Sequence, residues 1–203
     1  MQQEILKHHE AYLERKKVYQ KYGVDIDKER KFILDKAEPI FGDILEIGTG
    51  KGHFAALLAK EGYKFTSIDI AEEAQGMAKM SLKYFDLSKF ATFKIENAEN
   101  MSFEDDSFDI IFSVNTVHHL DNPFKVMDEI SRIVTFEGKI VISDFSEEGF
   151  KILDKVHASE GKTHQKSKHD LRDMDSYLKQ KKFKTEYYED KFQHILIAYR
   201  QIA

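Results

Sequence analysis

The apolar positions of this chain follow two periods, and the change from one to the other divides it. Over residues 1–38, Ile5, His9, Tyr12 and Tyr19 recur at steps of three and four or their multiples, with Lys and Glu between them. That is the spacing of one helical face. Gly23 interrupts the run, and a second helical stretch around 28–36 stops before Pro39. From Asp43 onward short apolar runs alternate with helical patterns, which predicts βα units on a parallel sheet. Strands are expected at 43–47, 64–69, 91–95, 108–114 and 139–145, with helices at 52–60, 71–85 and 123–134. The runs IIFSV and IVIS are apolar enough for central strands covered on both faces. In the 123–134 helix, Val126, Met127, Ile130, Ile133 and Val134 form one stripe, with Asn122 placed to cap it and Pro123 at the tolerant first position.

Beyond the fifth strand the stretch 146–167 is polar, with a weak helical pattern near 150–156. Ser167-x-x-Asp170 resembles a capping box for a helix reaching about Lys181. Two alternating runs, 183–188 and 192–199, then read as an antiparallel hairpin. No repeat or flexible linker interrupts this order. The expected boundaries are a helical cap over 1–40 and one α/β domain over 41–203.

Composition narrows the chemistry. With no Cys among 203 residues, a disulfide scaffold, a thiolate metal site and a Cys nucleophile are all excluded. No apolar run approaches the about 20 residues that span a bilayer, and the charged start MQQEILKHHEAYLERKK lacks the apolar core of a secretory signal. A cytoplasmic protein with no membrane partner is expected. The net charge of −5 argues against a dedicated nucleic-acid binder.

The densest chemistry lies in Ile44-Leu45-Glu46-Ile47-Gly48-Thr49-Gly50-Lys51-Gly52, where a buried strand enters a loop with Gly at alternate positions and then a helix. Such glycines allow a close ligand approach, and the loop lies beyond a strand's carboxyl end, where open α/β sheets bind ligands. The strand Phe65-Thr66-Ser67-Ile68-Asp69 follows and ends in a carboxylate suited to ribose hydroxyls. A dinucleotide fingerprint needs a third Gly where this chain has Phe54, and Glu46 would repel phosphate but suit an ammonium group. Both features favour S-adenosylmethionine over NAD.

LEIGTGKG, IDI, ENAENMSFEDDSFDIIFS and NTVHHLDNPFKVMDEISRIVTFEGKIVISDF, in that order, resemble the class I S-adenosylmethionine-dependent methyltransferases of the small-molecule branch. The resemblance covers roughly 43–203. It implies a Rossmann-like, mostly parallel seven-stranded sheet with helices on both faces, a C-terminal antiparallel hairpin and an N-terminal helical cap. It also implies that Glu46 and the glycines Gly48, Gly50 and Gly52 hold the amino-acid end of the cofactor. By the same resemblance Asp69 takes the ribose, Ile70 lies on the adenine face, Asn97 and Ala98 meet the adenine edge, and Asn115 lines the floor near the methionine arm. The adenine position often carries Asp in the family; Asn97 stands there in this chain.

Methyl transfer asks mainly for alignment and exclusion of water, so the catalytic candidates are few. His118 and His119 follow the fourth strand, and His157 and His164 lie in the segment after the fifth. Three readings stay open for these histidines: polar lid residues, a general base or orienting donor, or a divalent-metal site built from His157, Glu160 and His164. Tyr12, Tyr19 and Tyr22 are expected on amphipathic helices, as cover over the cofactor or as ordinary packing. The acceptor expected is a small molecule. An RNA or protein methyltransferase is the alternative, since 151–184 holds ten Lys/Arg against five Asp/Glu; a non-catalytic S-adenosylmethionine-binding protein is another. Oligomeric state is left open.

Overall fold

A computed structural model describes residues 2–161 and 167–201. Helices α1 (Gln2–Lys21) and α2 (Ile26–Lys36) precede strand β1 (Ile44–Ile47), helix α3 (His53–Lys60), strand β2 (Phe65–Asp69) and helix α4 (Glu72–Tyr84). Strands β3 (Ala91–Ile95) and β4 (Phe108–Val114) follow, then helix α5 (Pro123–Ile133), strand β5 (Val134–Phe145) and helices α6 (Glu147–Ser159) and α7 (Leu171–Gln180). Strands β6 (Phe183–Glu189) and β7 (Gln193–Arg200) close the sheet.

The sheet order is β3-β2-β1-β4-β5-β7-β6, with β7 antiparallel to β5 and β6 and the other pairs parallel. This is the mixed seven-stranded Rossmann-like sheet that the sequence implies. Its two faces follow from strand alternation. Ile44, Ile110, Phe112 and Val141 pack against α2, α3 and α4, whereas Leu45, Ile111, Ile140 and Ile142 pack against α5 and α7. Strand order reverses between β1 and β4, so the loops after their carboxyl ends splay apart and leave a crevice.

Three local expectations need correction. Helix α5 ends at Ile133, because Val134 turns extended and pairs with Phe108 as the first residue of a long β5. Asn122 makes no side-chain cap; its amide donates to both carboxylate oxygens of Glu99, at 3.0 and 3.1 Å. The capping box of α7 lies three residues later than predicted. Asp170 accepts from the backbone of the first turn and Asp173 reaches back to it, while Ser167 Oγ accepts from the His169 amide at 3.2 Å.

Helix α1 lies across the molecule as a strap. His8 Nε2 is 2.9 Å from Ser81 Oγ and His9 stacks on Tyr84 at 3.7 Å, which fixes it to α4. Arg15 pairs with Glu160, which fixes it to the end of α6. Among the described residues no helix is long and apolar enough to cross a membrane.

Candidate active site

A cleft of about 620 Å³ opens at the carboxyl ends of β1, β2 and β4, beneath α1, α2 and α6. The glycine loop forms one wall. Gly48 has φ +84°, and a Cβ there would meet Thr116 Oγ1 at 2.3 Å, so the loop can approach the β4 loop only as glycine. Gly50 lines the cleft and donates its N–H to Asp69 Oδ2 at 2.9 Å. Gly52 does not line it. Its Cβ would lie 2.6 Å from the Ala78 Cα, so its glycine serves the packing of α3 on α4.

Glu46 is 2% exposed, and burial pushes its carboxyl up to about 8, against the downward pull of the Ser67 hydroxyl. Ser67 Oγ donates to Glu46 at 2.5 Å and lies 2.6 Å from Thr49 Oγ1, which in turn accepts from Gln75 Nε2 at 3.0 Å. This polar chain braces the loop from behind. Among the described residues Glu46 pairs with no cation.

Asp69 accepts from Gly50 N and, through Oδ1, from Ala71 N at 2.9 Å. It therefore shapes the turn into α4 as well as presenting its carboxylate to the cleft, since each oxygen keeps a second acceptor position. Ile70 is 69% exposed at the cleft rim, not part of the core. Asn97 Oδ1 accepts from the Glu99 amide at 2.9 Å in a local turn, and Ala98 lines the cleft beside it. Asn115 holds a left-handed backbone at φ +53°, and its buried Oδ1 accepts from no described residue. A strained, unsatisfied polar residue in a cleft is the usual mark of a ligand contact.

The four histidines separate. His118 is buried on the short turn after β4, with Nδ1 2.5 Å from Asp144 Oδ1 and its backbone N–H donating to Asp144 Oδ2 at 3.0 Å. A carboxylate on Nδ1 places the basic lone pair on Nε2. His119 is exposed on the same turn, and its ring lies 4.0 Å from that of His118. Both line the cleft, as does His157 on α6. Glu160 is paired with Arg15, and His164 lies outside the described residues. Among the described residues no three His, Asp or Glu side chains form a metal-binding group. Of the tyrosines, Tyr19 lines the cleft, Tyr12 donates to Asp27, and Tyr22 is 40% exposed.

Sequence reasoning missed Asp144, the Ser67–Thr49–Gln75 chain, and the α1 and α2 side chains Arg15, Glu29 and Arg30 that reach the cleft. It also missed His53, whose imidazole burial and the nearby Arg30 and Lys51 hold well below the ordinary histidine range.

Comparison with known proteins bears on the fold and the family. The family described as "Methyltransferase domain" matches residues 45–142. The sterol 4-C-methyltransferase of Caenorhabditis elegans is 27% identical over 63% of this chain and 36% of its own length. The 2-methyl-6-phytyl-1,4-hydroquinone methyltransferase of a Synechocystis strain is 29% identical over 51% of this chain and 32% of its own. The chain thus spans about a third of the length of either relative. A crystal structure of a SAM-dependent methyltransferase from Aquifex aeolicus has the same fold, with a TM-score of 0.65 at 20% identity over 83% of this chain and 88% of that one.

Proposed function

We propose that this chain is a class I S-adenosylmethionine-dependent methyltransferase, a reading supported by the methyltransferase-domain match over residues 45–142, and that it methylates a small-molecule acceptor in the cleft beneath α1. The observation that carries the proposal is Glu46, a buried carboxyl that pairs with no cation among the described residues, set next to a glycine wall and the Asp69 carboxylate. An ammonium group would satisfy Glu46, and a ribose diol would find acceptors on Asp69. The residues fit S-adenosylmethionine on this ground. Asn115 Oδ1, buried and with no donor among the described residues, supplies a further acceptor on the same floor.

When bound, the cofactor supplies an electrophilic methyl on a sulfonium, with a thioether as leaving group. The chain's own work is positioning and desolvation. Gly48 and Gly50 let the loop backbone come close to a ligand, and α1 and α6 close the cleft from above, where excluding water strengthens every charge interaction inside. His118 Nε2, fixed by Asp144, is the group we assign to accept a proton from the reacting O–H or N–H of the acceptor. His119 and His157 are assigned to lining the acceptor's path.

A small acceptor is preferred to RNA because part of the basic stretch is already paired within the fold, Arg172 with Glu189 at 3.2 Å among it. Lys179 pairs with Asp175 at 2.8 Å and Lys181 with Asp128 at 2.5 Å. The names of the two curated relatives, a sterol and a hydroquinone methyltransferase, point the same way. The test uses methyl-labelled S-adenosylmethionine with a metabolite extract. Label should enter the small-molecule fraction, and His118→Ala should slow that entry by about 10²-fold or more at unchanged cofactor affinity. A protein that binds no S-adenosylmethionine in calorimetry would refute the proposal outright.

A further inference from the structure

Two oxygens that line the cleft belong neither to the cofactor set nor to the histidine pair. Glu29 Oε2 on α2 and Gln193 Oε1 at the start of β7 are buried, and neither accepts a hydrogen bond from any described residue. Gln193 is 2% exposed, so water does not serve it freely. A buried acceptor without a donor is costly, and two in one cavity mark where a ligand's donors belong. Asp190 ties them to one region. Its amide donates to the Gln193 carbonyl at 2.8 Å, and its charge acts on Glu29.

The local field has a sign. Burial raises the Glu29 carboxyl to about 6, and Asp190 and Asp25 push in the same direction. At neutral pH it is still ionised, a desolvated anion among anions. The arginines of the same cleft are engaged elsewhere. Arg15 pairs with Glu160, and Arg30 donates to Asp27, to the Tyr12 hydroxyl and to the Ile26 carbonyl. Around these polar atoms the wall is apolar, formed by Val24, Ile26, Ile152, Leu153 and Phe192.

We propose that the acceptor taken by this cleft carries an amine on an apolar body, its ammonium held as a binding handle by the Glu29 carboxylate and the Gln193 side-chain oxygen, while a separate O–H or N–H of the same molecule takes the methyl and gives its proton to His118. This rests on the methyltransferase proposal above and names the substrate class for that site. An ammonium brings several donors and a charge, whereas an alcohol brings one donor and a carboxylate brings none and is repelled.

The test titrates the protein, saturated with S-adenosylhomocysteine, with benzylamine, benzyl alcohol and benzoate at neutral pH. These share a ring and differ in head group. Benzylamine should bind about tenfold or more tighter than benzyl alcohol, and benzoate weakest. Glu29→Gln should bring benzylamine down to the affinity of the alcohol while the melting temperature and S-adenosylmethionine affinity hold. Gln193→Met, which keeps the volume and removes the oxygen, should weaken benzylamine by about threefold or more; it also serves should Glu29→Gln not fold. Equal affinity for amine and alcohol, preference for benzoate, no binding by any of the three, or an undiminished amine preference in both variants overturns the inference. In each of those cases the methyltransferase proposal stands, provided that S-adenosylmethionine binds; absent cofactor binding, both fall.

Discussion

Glu46 is a neutral acid through most of the physiological range when the cleft holds no cation, because burial outweighs the Ser67 hydrogen bond. An ammonium ligand draws the carboxylate out, so binding releases a proton. Affinity for S-adenosylmethionine should rise with pH by up to about tenfold per unit and level off near pH 8. Calorimetry in two buffers of different ionisation enthalpy measures that proton. Glu46→Gln should abolish the slope and weaken binding at high pH. The folding consequence has the opposite sign. A carboxyl whose folded value lies above its ordinary 4.5 binds more protons folded than unfolded between 4.5 and about 8, so stability falls as pH rises through that window. Glu46→Gln should therefore unfold later than the parent at the upper end of it. The sequence made Glu46, Gly48 and Asp69 readable because they sit in two short segments whose order carries meaning. Asp144 was not readable. It meets His118 across 26 positions, and Glu29 and Gln193 converge from opposite ends of the chain, where no spacing rule links them.

At the level of elements, strands buried on both faces announce themselves, which is why β1, β4 and the second half of β5 stand out in the sequence. The first turn of β5 does not. Thr135, Phe136 and Glu137 are partly or fully exposed, and the pairing with β4 shifts register between Phe108 and Ile110, so the apolar signal lapses while the strand continues. The glycine loop shows a second limit of pattern. Three alternate glycines look equivalent in sequence, yet Gly52 is required by Ala78 of the neighbouring helix and lies off the cleft. Its φ of +74° disfavours any side chain, and a Cβ would press on backbone. Gly52→Ala should cost about 2–4 kcal/mol in urea unfolding, whereas a substitution at Gly50, where a Cβ meets open space, should cost mainly the backbone penalty.

For the whole molecule, the order of layers was legible from periodicity, but the placement of the N-terminal helices was not. Helix α1 buries only Tyr19 along its own length; it is held by polar and aromatic contacts to α4, by Lys16 and Tyr12 to the start of α2, by one ion pair to α6, and by Tyr12, Val18 and Tyr19 against the apolar cluster that includes Ile152, Leu153 and Val156. The spacing of His9, Tyr12 and Tyr19 marks the face that makes these contacts but not the elements it meets. The same economy of burial makes α1 the part of the cover most easily lifted. Arg15→Ala should raise both the association and dissociation rates of S-adenosylhomocysteine several-fold with little change in Kd, as read by stopped-flow fluorescence of a labelled analogue. Unaltered rates would mean that ligands pass by another route. If the strap does open for each exchange, then the residence time of spent product, and not the chemistry at the methyl group, becomes the clock of the catalytic cycle. The tempo of turnover would then be written in a handful of contacts far from the reacting atoms.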